Sequence, residues 1–232
     1  MTAAAALVSL AGPADAQYGQ YGAPPAQNIP DSSRSPSSTE GQPAPAARNQ
    51  VLRAAACLVA RDAGAAARML ATAPYSAEER QEAVRSLRAA ERCVRARGFA
   101  TSPLLLRGAI AESLYEAQFA QPASPRQPPA QASPLFGPAS AAARADMAAA
   151  FGLGDCLAAG HGGLVRALLA ADPDSPAEGA ALTAMSPAFG ACVPAGTQLN
   201  IDPGSLRAIA AESLYRWSLA QRDGAGAPAA RR

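Results

Sequence analysis

A chain of 232 residues that is 49% apolar is long enough to bury one or two cores. Its 20 basic residues are all Arg and face 18 acids, so the net charge of +2 and the 5% aromatic content exclude the strongly basic or base-stacking faces of nucleic-acid binders. The arginine bias, with abundant Ala, Gly and Pro, fits a GC-rich genome, so alanine content carries little functional weight.

Residues 1–16 read as a signal peptide. A small-residue apolar run, Met1 to Ala11, precedes Ala14-Asp15-Ala16, which fits a small-x-small cleavage site before Gln17, although no Arg or Lys precedes the run. No stretch reaches the roughly twenty apolar residues needed to span a bilayer, so no transmembrane segment is expected. Residues 17–48, rich in Pro, Gln and Ser, cannot bury enough surface to offset chain entropy and read as a disordered leader.

Residues 49–120 form the first of two helical repeats. Asn49 is the expected N-cap of a first helix, Gly64 the break before a short second helix with Met69 and Leu70, and Ser76-Ala-Glu-Glu79 a capping box that opens a third. Ser102-Pro103 then opens a fourth helix that runs to about Ala120. Residues 121–138, with six prolines, are a semi-rigid linker. Residues 139–221 repeat the plan. A first helix loosened at Gly152, Gly154 and Gly160 leads to Ser175-Pro176-Ala-Glu178, a third helix to Cys192, a weakly alternating piece from Thr197 to Ile201, and a fourth helix opened by Asp202-Pro203. Residues 222–232 are a disordered tail.

The duplication is carried by one stretch. Leu106-Arg107-Gly-Ala-Ile-Ala-Glu112-Ser-Leu-Tyr115 matches Leu206-Arg207-Ala-Ile-Ala-Ala-Glu212-Ser-Leu-Tyr215 at seven of ten positions. The expected fold class is therefore all-α, a tandem duplication of a disulfide-fastened unit of about four helices. Cys57 and Cys93 are 36 residues apart, as are Cys156 and Cys192, and both pairs are displaced by 99. Four cysteines allow three connectivities, of which duplication of a closed unit selects Cys57 with Cys93 and Cys156 with Cys192. The chain has no Cys-x-x-Cys and a single His161, so neither a metal nor a cofactor is expected, and disulfides point to a periplasmic or secreted protein.

No motif names a reaction. The candidate face consists of Arg107, Glu112 and Tyr115 with Arg207, Glu212 and Tyr215. It reads either as a binding face of cation, carboxylate and phenol, or as a hydrogen-bonded tie between helices in which Arg107 reaches Glu79; the tie is preferred. Arg85, Arg88, Arg92 and Arg95 form a basic stripe on the third helix, read as a solvated face in preference to a polyanion site. Residues 48–120 hold eleven Arg against seven acids (+4) and residues 139–221 four Arg against seven acids (−3), so the repeats can pack on each other across their tyrosines. The expected function is a non-catalytic interaction or envelope-associated protein whose partner is a protein or a cell-envelope component, with no nucleic acid. The alternatives are a hydrolase or lyase with an unrecognised site, or a carrier of a small apolar ligand.

Overall fold

The computed structural model describes residues 44–94, 101–119, 145–193 and 199–226. The expected signal peptide, the leader up to residue 43, the linker, Arg95 and the end of the tail lie outside them, as does the start of the alternating piece at Thr197. The described residues hold seven α-helices and no strand, and two disulfides.

Helix α1 spans Ala44–Arg61, so it begins ahead of Asn49. Pro45 suits a first turn, and the alanines around it are the best helix formers, which carries the helix five residues upstream of the expected cap. The break after α1 falls at Asp62 and not at Gly64. The Asp62 carboxylate accepts the Ala65 amide at 2.8 Å and caps α2, Ala63–Leu70, with Gly64 inside it. Helix α3, Ala77–Val94, starts where Ser76 Oγ accepts the Glu79 amide at 3.0 Å, and α4, Pro103–Gln118, where Ser102 Oγ accepts the Leu105 amide at 3.2 Å.

Helix α5, Ala145–Leu169, is continuous through Gly152, Gly154 and Gly160, and kinks at His161 (φ −134°). Gly154 serves close approach and does not loosen the helix, since a Cβ there would lie 2.6 Å from Ile209 Cγ2. Helix α6 spans Pro176–Cys192, opened by Ser175 Oγ accepting the Glu178 amide at 3.2 Å, and α7 spans Pro203–Gly226.

Helices α4 and α7 pack on each other at the centre; α1 and α2 cover α4, α5 covers α7, α3 lies on α1 and α2, and α6 lies chiefly on α5. The disulfides join α1 to α3 through Cys57–Cys93 and α5 to α6 through Cys156–Cys192. On a helical wheel Leu106, Ala109, Ile110, Ser113, Leu114 and Ala117 of α4 cluster on one expected core side, but every residue from Leu106 to Tyr115 is buried, because α4 packs against α1, α2 and α7 together. Ala117, placed in the core by the wheel, is exposed near the C-terminal end of α4.

The two central helices touch at Gly108. A Cβ built there would stand 2.2 Å from Ala208 Cα and 2.9 Å from its carbonyl carbon. Gly108→Ala should therefore cost about 3 kcal/mol despite the better helix propensity of alanine. Adding Ala208→Gly should not rescue it, because the obstructing Cα remains. Gly190→Ala, with nothing within 4 Å, is the matched control and should be neutral or stabilising. Urea melts of the variants check this, and a Gly108→Ala protein as stable as the parent would contradict the close approach.

Candidate functional site

The residues singled out on α4 and α7 form one buried cluster. Arg107 is 0% exposed and Glu212 0% exposed; Glu112 and Arg207 are each 5% exposed. Arg107 Nε donates to Glu212 Oε2 at 3.0 Å and its Nη2 to Glu212 Oε1. With the halves exchanged, Arg207 donates to Glu112 through Nε at 3.0 Å and Nη2 at 2.6 Å. Both pairs are two-pronged, a geometry that suits the planar guanidinium and that lysine could not reproduce.

Each guanidinium has a second task. Arg107 Nη1 donates to the carbonyls of Met69 at 3.0 Å and Thr72 at 3.1 Å, and Nη2 to that of Leu70 at 3.4 Å. Arg207 does the same for Leu168, Ala171 and Leu169, at 3.0, 2.8 and 2.8 Å. These are the last carbonyls of α2 and α5 and the turn after each, beyond the reach of the helix's own i+4 amides, although Met69 and Leu168 also accept the Thr72 and Ala171 amides at 3.2 Å. A cation at a helix C-terminus is also favoured by the helix dipole.

A third layer fixes the turns. Arg107 Nη1 reaches Glu79 Oε1 at 3.3 Å, and Arg207 Nη1 reaches Glu178 Oε1 at 3.3 Å. Glu79 in turn accepts the Tyr75 amide and Glu178 the Asp174 amide at 2.7 Å, so each capping acid reaches one residue further back than the usual box. Tyr75 (φ 64°) and Asp174 (φ 61°) both occupy the left-handed region, a conformation that these bonds help to hold. The halves differ at two points: Arg107 Nη1 also bonds Thr72 Oγ1 at 3.1 Å, where Ala171 has no hydroxyl, and Arg48, from the first turns of α1, bonds Glu178 at 2.7 Å and also pairs with Asp174, so Glu178 has two cations and Glu79 only one that is shown.

The tyrosines meet through an intermediate ring. Tyr115 stacks on Phe119 at 5.7 Å between centroids, Phe119 meets Tyr215 edge-on at 6.2 Å, and Gln118 Nε2 donates to Tyr215 Oη at 3.3 Å. Of the other sequence candidates, Arg85, Arg88 and Arg92 are exposed, with Arg85 bonded to Glu82 at 2.7 Å. His161 is half-buried at the α5 kink, and among the described residues no group of three His, Cys, Asp or Glu could hold a metal ion.

Burial is the largest influence on three carboxyls. It raises the Glu79, Glu112 and Asp155 pKa values above the ordinary range, partly opposed by Arg107, Arg207 and, at Asp155, Ser213 and Arg216. A raised folded-state pKa means that the native state binds protons more tightly than the unfolded chain. The stability contributed by these groups is therefore largest below their unfolded pKa, near 4, and declines as pH rises through the folded values. The melting temperature should hold or rise as pH is lowered from about 7 to about 5; a steady fall over that interval would show that ion pairing outweighs burial.

Two voids adjoin the cluster. An apolar crevice beside Gly108 and Ala208 has about 30 Å³, room for one water and not for an apolar ligand. A wider cleft of about 340 Å³, bordered by Asn49, Arg53, Glu112, Glu116 and Asp172, reaches Glu112 and Arg207 but neither tyrosine. Comparison with family models, with curated proteins and with solved structures finds no match to this chain.

Proposed function

We propose that this is an exported, non-catalytic helical protein of the cell envelope, built by duplication of a disulfide-fastened unit, which acts by binding a protein or an envelope component. The observation that carries the reading is the exchange of partners between Arg107–Glu212 and Arg207–Glu112. A duplicated unit whose copies meet about a pseudo-twofold axis would produce this reciprocity. In that reading the polar residues common to both copies serve the internal interface, and a partner has the outer surfaces, where the copies differ.

Export rests on the two disulfides, which persist in oxidising compartments, together with the cleavage pattern before Gln17. No helix among the described residues is long and apolar enough to cross a membrane. Fractionation of the native host tests the reading. Mature protein is expected in the periplasmic or secreted fraction, beginning at Gln17 with all four cysteines oxidised, and chemical cross-linking there should capture an envelope partner. Recovery from the cytosol with Met1 in place and four free thiols would overturn it. The cleft beside Glu112 favours a second reading, a site for a small polar ligand, which would show as a chemical-shift response confined to Asn49, Arg53 and Glu116 when host extract metabolites are added.

A further inference from the structure

The third helices of the two halves have diverged in a way that the fold does not require. On α3, at 100° per residue, Arg80, Val84, Arg88, Arg92 and Arg85 fall within an arc of about 140°, and all five are exposed. Val84, 49% exposed, is the exposed large hydrophobic residue of the described chain. The corresponding positions on α6, displaced by 99, are Gly179, Thr183, Ala184, Pro187 and Ala191, also exposed and all uncharged. Helix α6 forms and packs with small residues there, so the arginines of α3 are not needed for helix formation or core packing. Three acids offset part of the charge. Glu82 is engaged by Arg85, the exposed Glu78 borders the arc and interacts with Arg80, and the half-buried Glu91 lies within the arc, while Arg88 and Arg92 have no ion-pair partner among the described residues.

We propose that this face of α3 docks on an anionic lipid bilayer, with the guanidiniums on the headgroups and Val84 at the acyl boundary between them. The proposal rests on the envelope reading and names the envelope component. Charge complementarity selects the partner, because guanidinium groups pair with phosphate oxygens, and a basic helix face carrying an apolar side chain suits a lipid interface. The +4 of residues 48–120 against the −3 of residues 139–221 orients the approach, with the basic half toward the surface. Each basic residue held near an anionic surface strengthens binding about fivefold, so the face acts as a reversible, salt-sensitive contact and not as an anchor.

The experiment is cosedimentation of the intact, disulfide-bonded full chain with vesicles of phosphatidylcholine, alone or with about one third phosphatidylglycerol. Binding is expected to the anionic vesicles only and should disappear at about 0.5 M salt, where exposed charges are screened. Arg88→Glu with Arg92→Glu should weaken it by about a hundredfold at an unchanged melting temperature. Val84→Asp should weaken it less. Thr183→Glu with Ala184→Glu on α6 should leave it intact, which separates the face from net charge. Equal binding to zwitterionic vesicles, no binding to either, or the same loss from the α6 variant would overturn the proposal. Export and the disulfides would be untouched by that failure, since fractionation reads them independently.

Discussion

Arg107→Met is expected to lower the unfolding free energy by about 4 kcal/mol, a large share of the total for a domain of ordinary stability. The side chain is similar in bulk, so the loss is electrostatic. Glu212 and Glu79 would remain buried without their shown cation, the carbonyls of Leu70 and Thr72 would lose the guanidinium donor, and that of Met69 would keep its bonds from Thr72. Arg207→Met should cost less, because Glu178 retains Arg48. A double-mutant cycle separates the pair from its surroundings. Combining Arg107→Met with Glu212→Leu should be less damaging than the sum of the single changes, by at least about 1 kcal/mol, because the double variant leaves no orphaned charge at position 212. Recovery should be incomplete, since Glu79 still lacks its cation and the carbonyls of Leu70 and Thr72 still lack the guanidinium donor. Urea denaturation of the four proteins provides the measurement, and a cost below about 1 kcal/mol for Arg107→Met would show that water reaches the cluster.

Parts of this site can be read from the sequence. The capping acids follow from the Ser-x-x-Glu spacing, and Arg107 reaching Glu79 follows from placing a long cation opposite a buried acid. The partner exchange is harder to see. Arg107 and Glu112 are five residues apart, about 140° around the helix, so they cannot pair with each other as residues three or four apart would. When two helices carry the same mismatched pair and pack side by side in the same direction, with Gly108 against Ala208 and Phe119 beside Tyr215, each Arg falls within reach of the other helix's Glu. That inference is available from spacing, but only once the two helices are known to touch. The bonds to Met69, Leu70 and Thr72 carry no sequence signal, because backbone carbonyls are the same in every residue. Arg48 escapes notice for a different reason: it lies in a segment whose composition resembles a leader, and its partners are 126 and 130 residues away. The glycines mislead in one direction. Gly64, Gly152, Gly154 and Gly160 resemble breaks, yet all lie within helices, and Gly154 is positioned by what packs against it.

Removing the Cys156–Cys192 bond, by Cys156→Ser with Cys192→Ser, is expected to be the more damaging of the two disulfide deletions. On loop entropy alone the bonds are equal. Each closes a loop of separation 36, which constrains the unfolded chain by about 4 kcal/mol. The difference lies in what else holds each helix. Helix α3 packs on α1 and α2 and has a small contact with α4, whereas α6 packs chiefly on α5, with Glu178 bonded to Arg207 and Arg48 at its first turn. Without its disulfide, the far end of α6 keeps the contacts of Met185, Ala188, Phe189 and the adjoining Val193 with the core. Pro187 also removes one backbone donor from the middle of the helix. Loss should therefore begin locally: amide exchange should accelerate first across residues 183–192, while residues 106–115 and 206–215 of the central helices keep their protection. Deletion of Cys57–Cys93 should lower the melting temperature without such early release of α3. Equal exchange rates across α6 and the central helices in the Cys156→Ser, Cys192→Ser protein would show that α6 unfolds with the whole molecule and not ahead of it.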